Sequence, residues 1–163
     1  MFEIENIKTF LFVVSGIIIF YMLLRSISEN KSNRKYLISS LLITIILILS
    51  LSIKIHHFLR DNFGIQNTFT YLILMIPFVL HFIKYRLLIL NYNFVLLVFS
   101  AICLLIALIT DLFTDAKIIQ FESSDTIEEI LRIMGAAFWF SYYLLYLFKY
   151  RKSYEPYKRI FLE

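Results

Sequence analysis

Residues 87–110 read LLILNYNFVLLVFSAICLLIALIT, which is 24 residues without a charged side chain. Crossing a hydrocarbon core about 30 Å thick takes roughly 17–25 apolar residues in a helix. Two charged residues, Arg86 and Asp111, flank the run. The stretch therefore predicts a transmembrane helix.

Four more charge-free runs accompany it, at residues 9–24, 36–53, 62–83 and 133–148. The shortest of them reach spanning length because flanking Lys and Arg side chains can extend toward the interfaces. We predict an all-α fold, an integral membrane bundle of about five transmembrane helices. The predicted spans are residues 7–27, 36–55, 67–85, 91–113 and 127–148.

The amino-acid composition supports the same class of protein. Hydrophobic residues make up 60% of the chain and charged residues 17%. In a soluble domain, hydrophobic residues make up about 45–50% and charged residues about 25%. The segments between the runs are too short for a soluble domain, so we predict a single transmembrane domain over residues 1–163. Residues 54–66 are predicted to lie at the interface, with Phe58, Leu59 and Phe63 in lipid.

Signals for enzymatic chemistry are missing from the sequence, which has no Gly-rich phosphate loop and no nucleophile elbow. Its single cysteine, Cys103, cannot form an intrachain disulfide. The three histidines fall on opposite sides of the predicted membrane, so they cannot form one metal centre. We therefore predict no catalytic residue, no metal and no cofactor.

Basic residues are distributed unevenly between the loops. Eleven Lys and Arg residues fall on one side of the predicted bundle and five on the other, which places the N-terminus outside and the C-terminus inside a plasma (inner) membrane. Because the net charge of +4 is split between loops, we predict no direct nucleic-acid binding. A candidate inner basic surface, which marks topology or binds an acidic cytoplasmic protein, comprises Arg25, Lys31, Arg34, Lys35, Lys149, Arg151 and Lys152.

Ionisable residues cluster at the predicted outer ends of the last two helices. Arg132 follows Glu128 by four residues and Glu129 by three, so either carboxylate can pair with it on one helix face. Asp111 should lie level with them on the antiparallel neighbour. An unpaired charge in the acyl region costs about 3 kcal/mol, so we expect a buried ion-pair cluster that is either structural or functional. Thr126 and Glu129 also predict a capping box at the helix start.

Small and polar residues form a stripe on each of these two helices. Ser100, Cys103 and Ala107 share one face of the fourth helix, at spacings of three and four residues. Gly135, Trp139 and Tyr143 follow Arg132 on the fifth. Each stripe is consistent with a helix–helix contact or with the lining of a pore or substrate path.

The segment DLFTD at residues 111–115, with the later pattern IEExxRxxGxxxW at residues 127–139, resembles a terminal hairpin of small uncharacterised bacterial multi-span membrane proteins. The resemblance implies no activity. Compact membrane proteins of this size also occur as accessory subunits of antiphage systems, which is an expectation about genomic neighbours.

We predict a non-enzymatic membrane protein that acts as an oligomeric channel or pore subunit, or as a sensor or anchor subunit for a cytoplasmic effector. Its expected partners are the bilayer, further copies of itself and a cytoplasmic protein at the inner basic surface. One alternative is a membrane enzyme acting on a lipid headgroup, with Glu128, Glu129 and Asp111 as acid/base groups. Another is a small secondary transporter.

Overall fold

A computed structural model describes residues 2–26, 31–52, 55–64, 67–115 and 124–160, and it confirms the predicted all-α bundle. Every described element is helical. In chain order the helices are α1 (Phe2–Arg25), α2 (Lys31–Leu47) with a π-helical turn at Ile48–Ser52, α3 (Ile55–Phe63), α4 (Asn67–Leu90), α5 (Phe94–Asp115) and α6 (Ser124–Ile160).

Within the described residues, five helices are long and apolar enough to cross a membrane, as predicted. The chain is therefore a multi-pass membrane protein, while its orientation stays a prediction. The candidate spans are Asn6–Arg25, Asn33–Ser50, Ile73–Leu90, Phe94–Phe113 and Thr126–Lys149.

The distribution of side chains suits a lipid environment. Large apolar side chains face outward on every span, and examples such as Phe10, Ile17 and Leu87 are more than 60% exposed. A soluble protein rarely exposes so much contiguous apolar surface. Polar residues such as Lys8 and His81 are buried between the helices instead, because lipid cannot satisfy their hydrogen bonds.

Helix α6 is the central element of the bundle. It packs along α5 and α1, while α1 also packs on α2. Its 37 residues correspond to about 55 Å at 1.5 Å per residue. The helix is thus longer than the hydrocarbon core is thick, and the polar faces of α1, α2 and α5 are arranged around it.

Helix α4 extends beyond its predicted end at residue 85. It continues through Lys84 and Arg86 to Leu90, with a kink at Tyr85, whose φ and ψ are −108° and 17°. The two charged side chains are exposed, so they remain on the helix surface and do not terminate it. The chain reverses at residues 91–93, where Asn-Tyr-Asn supplies residues that favour turns.

The predicted interfacial segment forms the short helix α3. Phe58 and Phe63 are both exposed and so are Arg60 and Asp61, which gives the helix apolar and charged surfaces typical of an interfacial helix. Gly64 ends it with a positive φ of 67° and donates its N–H to the Arg60 carbonyl at 2.9 Å, which is a left-handed helix cap.

Candidate functional site

Arg132 forms the predicted ion pairs, one with Asp111 of α5 and one with Glu128 of its own helix α6. Its Nη2 lies 3.2 Å from Asp111 Oδ2 and also contacts Glu128 Oε1. The Arg132 side chain is only 7% exposed, and those of Asp111 and Glu128 are 16% and 12% exposed. The guanidinium is therefore held between carboxylates from two helices, inside the bundle.

Glu129 pairs with Lys8 of α1. The Lys8 Nζ lies 2.7 Å and 2.6 Å from the two Glu129 carboxylate oxygens, and the Lys8 side chain is 1% exposed. The sequence predicts instead that Glu129 pairs with Arg132 or caps the helix. The available signal was that Lys8 and Glu129 each lie just inside the same predicted outer boundary.

The predicted capping box is wrong. Helix α6 begins at Ser124, so Thr126 lies within its first turn, and the Glu129 carboxylate is bound to Lys8 instead. A buried ammonium is a stronger partner for a carboxylate than the backbone N–H of an exposed helix start. The five residues Lys8, Asp111, Glu128, Glu129 and Arg132 are called the charge cluster below.

The charge cluster joins three helices at one end of the bundle. It contains two basic and three acidic side chains, so its formal charge is −1 when all are ionised. Removing one partner from a buried pair costs about 3–5 kcal/mol, because the other charge remains buried. The Arg132 Nε is buried without a hydrogen-bond partner among the described residues, so the cluster is only partly satisfied.

A second polar group, the aromatic network, lies toward the other end of α6. It comprises the buried side chains of Tyr36, His81, Trp139, Tyr142, Tyr143 and Tyr146. The Tyr36 and Tyr142 hydroxyls are 2.8 Å apart. Tyr36 also stacks on the His81 ring, with centroids 5.2 Å apart.

Hydroxyl groups of α2 anchor this network to α4 and α6. Trp139 Nε1 donates to Thr44 Oγ1 at 3.1 Å, and His81 Nδ1 lies 2.9 Å from Ser39 Oγ. The signal that could have found the network was the four-residue spacing of Tyr36, Ser40 and Thr44, which places all three on one face.

The predicted small-residue stripe is a contact between α5 and α6. Ser100 Oγ donates to the Gly135 carbonyl at 2.7 Å, and Cys103 and Ala107 are buried. A Cβ on Gly135 would lie 2.7 Å from Leu104 Cδ2, so glycine is needed for this approach. The stripe therefore lies on the buried side of α5, and Ser100 joins it to α6.

The candidate inner basic surface is described only in part. Arg34 and Lys35 are exposed at the start of α2, and Arg25 lies over the Tyr21 ring at 5.2 Å. Lys149 donates to the Asn91 carbonyl at 3.0 Å and lies 4.5 Å from the centroid of the Tyr92 ring. The side chains of Lys31, Arg151 and Lys152 lie outside the described part of the structure.

Metal binding finds no support in the part of the chain whose side chains are described. There, no group of three or more His, Cys, Asp and Glu side chains is close enough to hold an ion. In the charge cluster, the described contacts of Asp111, Glu128 and Glu129 include an ion pair for each carboxylate. The arrangement is suited to holding helices together and to changing their packing if a pair breaks.

A family model for a domain of unknown function, DUF8692, matches residues 4–146. The chain belongs to the DUF8692 family. No curated protein and no solved structure matches it. The residues matched to DUF8692 contain the whole charge cluster and the whole aromatic network, so both groups lie within the family domain.

Proposed function

We propose that this protein is a non-enzymatic sensor or anchor subunit of the plasma (inner) membrane. In this proposal α6 connects the charge cluster at the outer side to a basic helical extension at the inner side. The extension binds an acidic cytoplasmic protein, such as an effector of an antiphage system. The observation that carries the proposal is the unbroken course of α6 from Ser124 to Ile160.

The dimensions of α6 support this proposal. From Glu128 to Tyr146 its buried face extends over 19 residues, or about 27 Å between the first and the last, close to the thickness of the hydrocarbon core. The last ten residues, 151–160, extend about 15 Å further as the same helix. This extension contains four basic residues, namely Arg151, Lys152, Lys158 and Arg159.

The charge cluster gives α6 two possible arrangements against α1 and α5, one with the ion pairs formed and one with a pair broken. Ion pairs hold α6 to α1 and α5 at one end, and a rigid helix transmits any shift of that end to the other. Switches of this kind arise where a local electrostatic change alters the packing of two elements. Loss of the pair between Lys8 and Glu129 would release α6 from α1 at that end.

The sensor proposal is favoured over a pore for two reasons. The stripe of Ser100, Cys103 and Ala107 is covered by α6, and the cavity described below is lined almost entirely by apolar side chains. An ion path needs polar groups or water along its length. The ion-paired carboxylates likewise give less support to an acid/base enzyme.

Spin labels test whether the two ends of α6 are coupled. In a Cys103→Ala background, labels at Lys35→Cys and Lys152→Cys report the distance between the start of α2 and the extension in nanodiscs. We expect Glu129→Gln to change the distance distribution, and we expect Arg34→Gln, on an exposed side chain, to leave it unchanged.

A flux assay tests the alternative that the protein is a pore. We expect liposomes that contain the protein to conduct K⁺ and protons no faster than empty liposomes. Unchanged spin-label distances together with protein-dependent flux would contradict the sensor proposal and favour a pore. Self-association is also proposed, and light scattering of the detergent-solubilised protein measures it.

A further inference from the structure

Helices α4 and α5 are joined by the turn of residues 91–93, and side chains of α2, α4 and α5 surround a gap between these helices. The gap is a half-open cavity of about 320 Å³. Its described walls are apolar side chains such as Phe78, Leu104 and Leu108, and among the lining residues that the structure describes Ser50 is the single polar one. Cavities of roughly 300–1,000 Å³ are typical of small-molecule sites.

We propose that this cavity binds one acyl chain of a phospholipid from the leaflet on the side of α3. The inference is independent of the proposed sensor function. The chain belongs to a phospholipid of the surrounding bilayer. A second copy of the protein is the competing occupant, and the experiment below distinguishes the two.

The location of the cavity supports a lipid occupant. All its walls belong to candidate membrane spans, so the surrounding medium is acyl chains and not water. Its rim is formed by Val79 and Ile83 of α4 and by Ile102 and Leu105 of α5, which are 41–63% exposed. A chain can therefore enter laterally from the bilayer, without crossing a polar barrier.

The size of the cavity also favours a single chain. An engineered apolar cavity of about 150 Å³ binds a benzene molecule, so a volume of about 320 Å³ accommodates a longer hydrocarbon segment. A transmembrane helix with its side chains is about 10–12 Å wide. Walls on three sides, from α2, α4 and α5, suit a narrow chain better than an object of that width.

The position of α3 indicates the leaflet from which the acyl chain enters the cavity. It packs against α4 and against the π-helical turn at Ile48–Ser52, and Ser50 of that turn lines the cavity. The exposed Phe58 and Phe63 and the charged Arg60 and Asp61 suit the headgroup boundary. A lipid whose chain lies in the cavity would thus have its headgroup on the side of α3.

The protein contains its own reporter for this site. Trp139 is the single tryptophan, and it is fully buried. Its ring centroid lies 6.1 Å from that of Phe78, a cavity wall. Bromine on an acyl chain quenches tryptophan fluorescence over a short distance, and Trp139 packs against the cavity wall Phe78. A chain inside the cavity would therefore quench Trp139 more than lipid outside the bundle does, and the cavity-filling variants below separate the two contributions.

The experiment compares Trp139 fluorescence in liposomes of dioleoyl phospholipid and of its brominated counterpart. We expect the brominated lipid to at least halve the emission of the wild-type protein. Ala101→Leu fills the cavity, and Val79→Phe does so from a rim position that tolerates added bulk. Both variants should lose most of the quenching, whereas Val95→Leu, on an exposed α5 position outside the cavity, should keep it.

Several outcomes would overturn the proposal. Absence of quenching in the wild-type protein, or equal quenching in Ala101→Leu, Val79→Phe and Val95→Leu, would show that no chain occupies the cavity. Loss of a dimer in the two filling variants, with no quenching in the wild type, would assign the cavity to a second copy. Circular dichroism of each variant confirms that it is folded before its quenching is compared.

Discussion

The Nζ of Lys8 is bound to both carboxylate oxygens of Glu129, at 2.7 Å and 2.6 Å, although 121 residues separate the two in sequence. The pair fastens the first helix of the bundle to the last. With the contacts of Arg132 to α5, it makes α6 the helix on which the buried charges converge. The stability of the bundle should therefore depend on α6 more than on α4.

Lys8→Met should destabilise the bundle by about 3 kcal/mol, because it leaves Glu129 unpaired at a largely buried position. Denaturation of the protein in detergent measures the loss in free energy of unfolding. Lys8→Met/Glu129→Leu should recover much of it, since both charges are then gone. Lys84→Met, on an exposed lysine, is the matched control. Additive losses in the double variant would mean that the two residues are not coupled.

Arg132→Gln should lower the free energy of unfolding by about 3–5 kcal/mol, because Asp111 and Glu128 lose their shared cation within the bundle. Arg132→Lys should recover only part of this stability, since an ammonium lacks the planar fork of a guanidinium. The same denaturation assay applies, and Arg34→Gln on the exposed surface should change stability by less than about 0.5 kcal/mol. Equal effects of the two glutamine substitutions would argue against the ion pairs.

Gly135→Ala should destabilise the bundle by about 1–3 kcal/mol, because the new Cβ overlaps Leu104 and forces α5 and α6 apart. Gly16→Ala is a matched control, since its Cβ would meet Thr44 Cγ2 at an ordinary 3.8 Å. That control should be neutral or stabilising by up to about 1 kcal/mol. Leu104→Ala should relieve part of the Gly135→Ala penalty.

Tyr36→Phe should lower the free energy of unfolding by about 1–3 kcal/mol, because it removes the hydroxyl that is hydrogen-bonded to the Tyr142 hydroxyl in the aromatic network. Tyr36→Phe/Tyr142→Phe should cost less than the sum of the two single changes, since neither polar group is then left behind. Tyr21→Phe, at a partly exposed position, serves as control in thermal denaturation. A cost in Tyr21→Phe as large as that in Tyr36→Phe would count against the predicted role of the hydrogen bond.

Cys103 should react slowly with a water-soluble maleimide in the folded protein, because it is buried between α5 and α6. Denaturant should make it fully reactive, and mass spectrometry follows both states. Ile102→Cys in a Cys103→Ala background provides a lipid-exposed comparison for a membrane-permeant reagent. Rapid labelling of native Cys103 from the aqueous phase would indicate a water-filled path along the stripe.

Some of the candidate site could be predicted from local spacing alone. The pairing of Arg132 with Glu128 follows from their separation by one helical turn, and that with Asp111 from the short connection between antiparallel helices. The small-residue stripe likewise suggested a close contact of the last two spans. The bond between Trp139 and Thr44 joins residues far apart in the chain, so no spacing rule could identify it.

The sequence by itself determined the number of spans and their helical state, because length and hydrophobicity decide whether a segment partitions into a bilayer as a helix. Only the tertiary structure decided that Glu129 pairs with Lys8 and that Tyr36 meets His81 and Tyr142. Those contacts depend on which helices are neighbours and on how each is rotated about its axis. Each helix is rotated so that its small and polar face packs against other helices, because lipid supplies no hydrogen-bond partners. The rotation of one helix therefore depends on all its neighbours in the bundle.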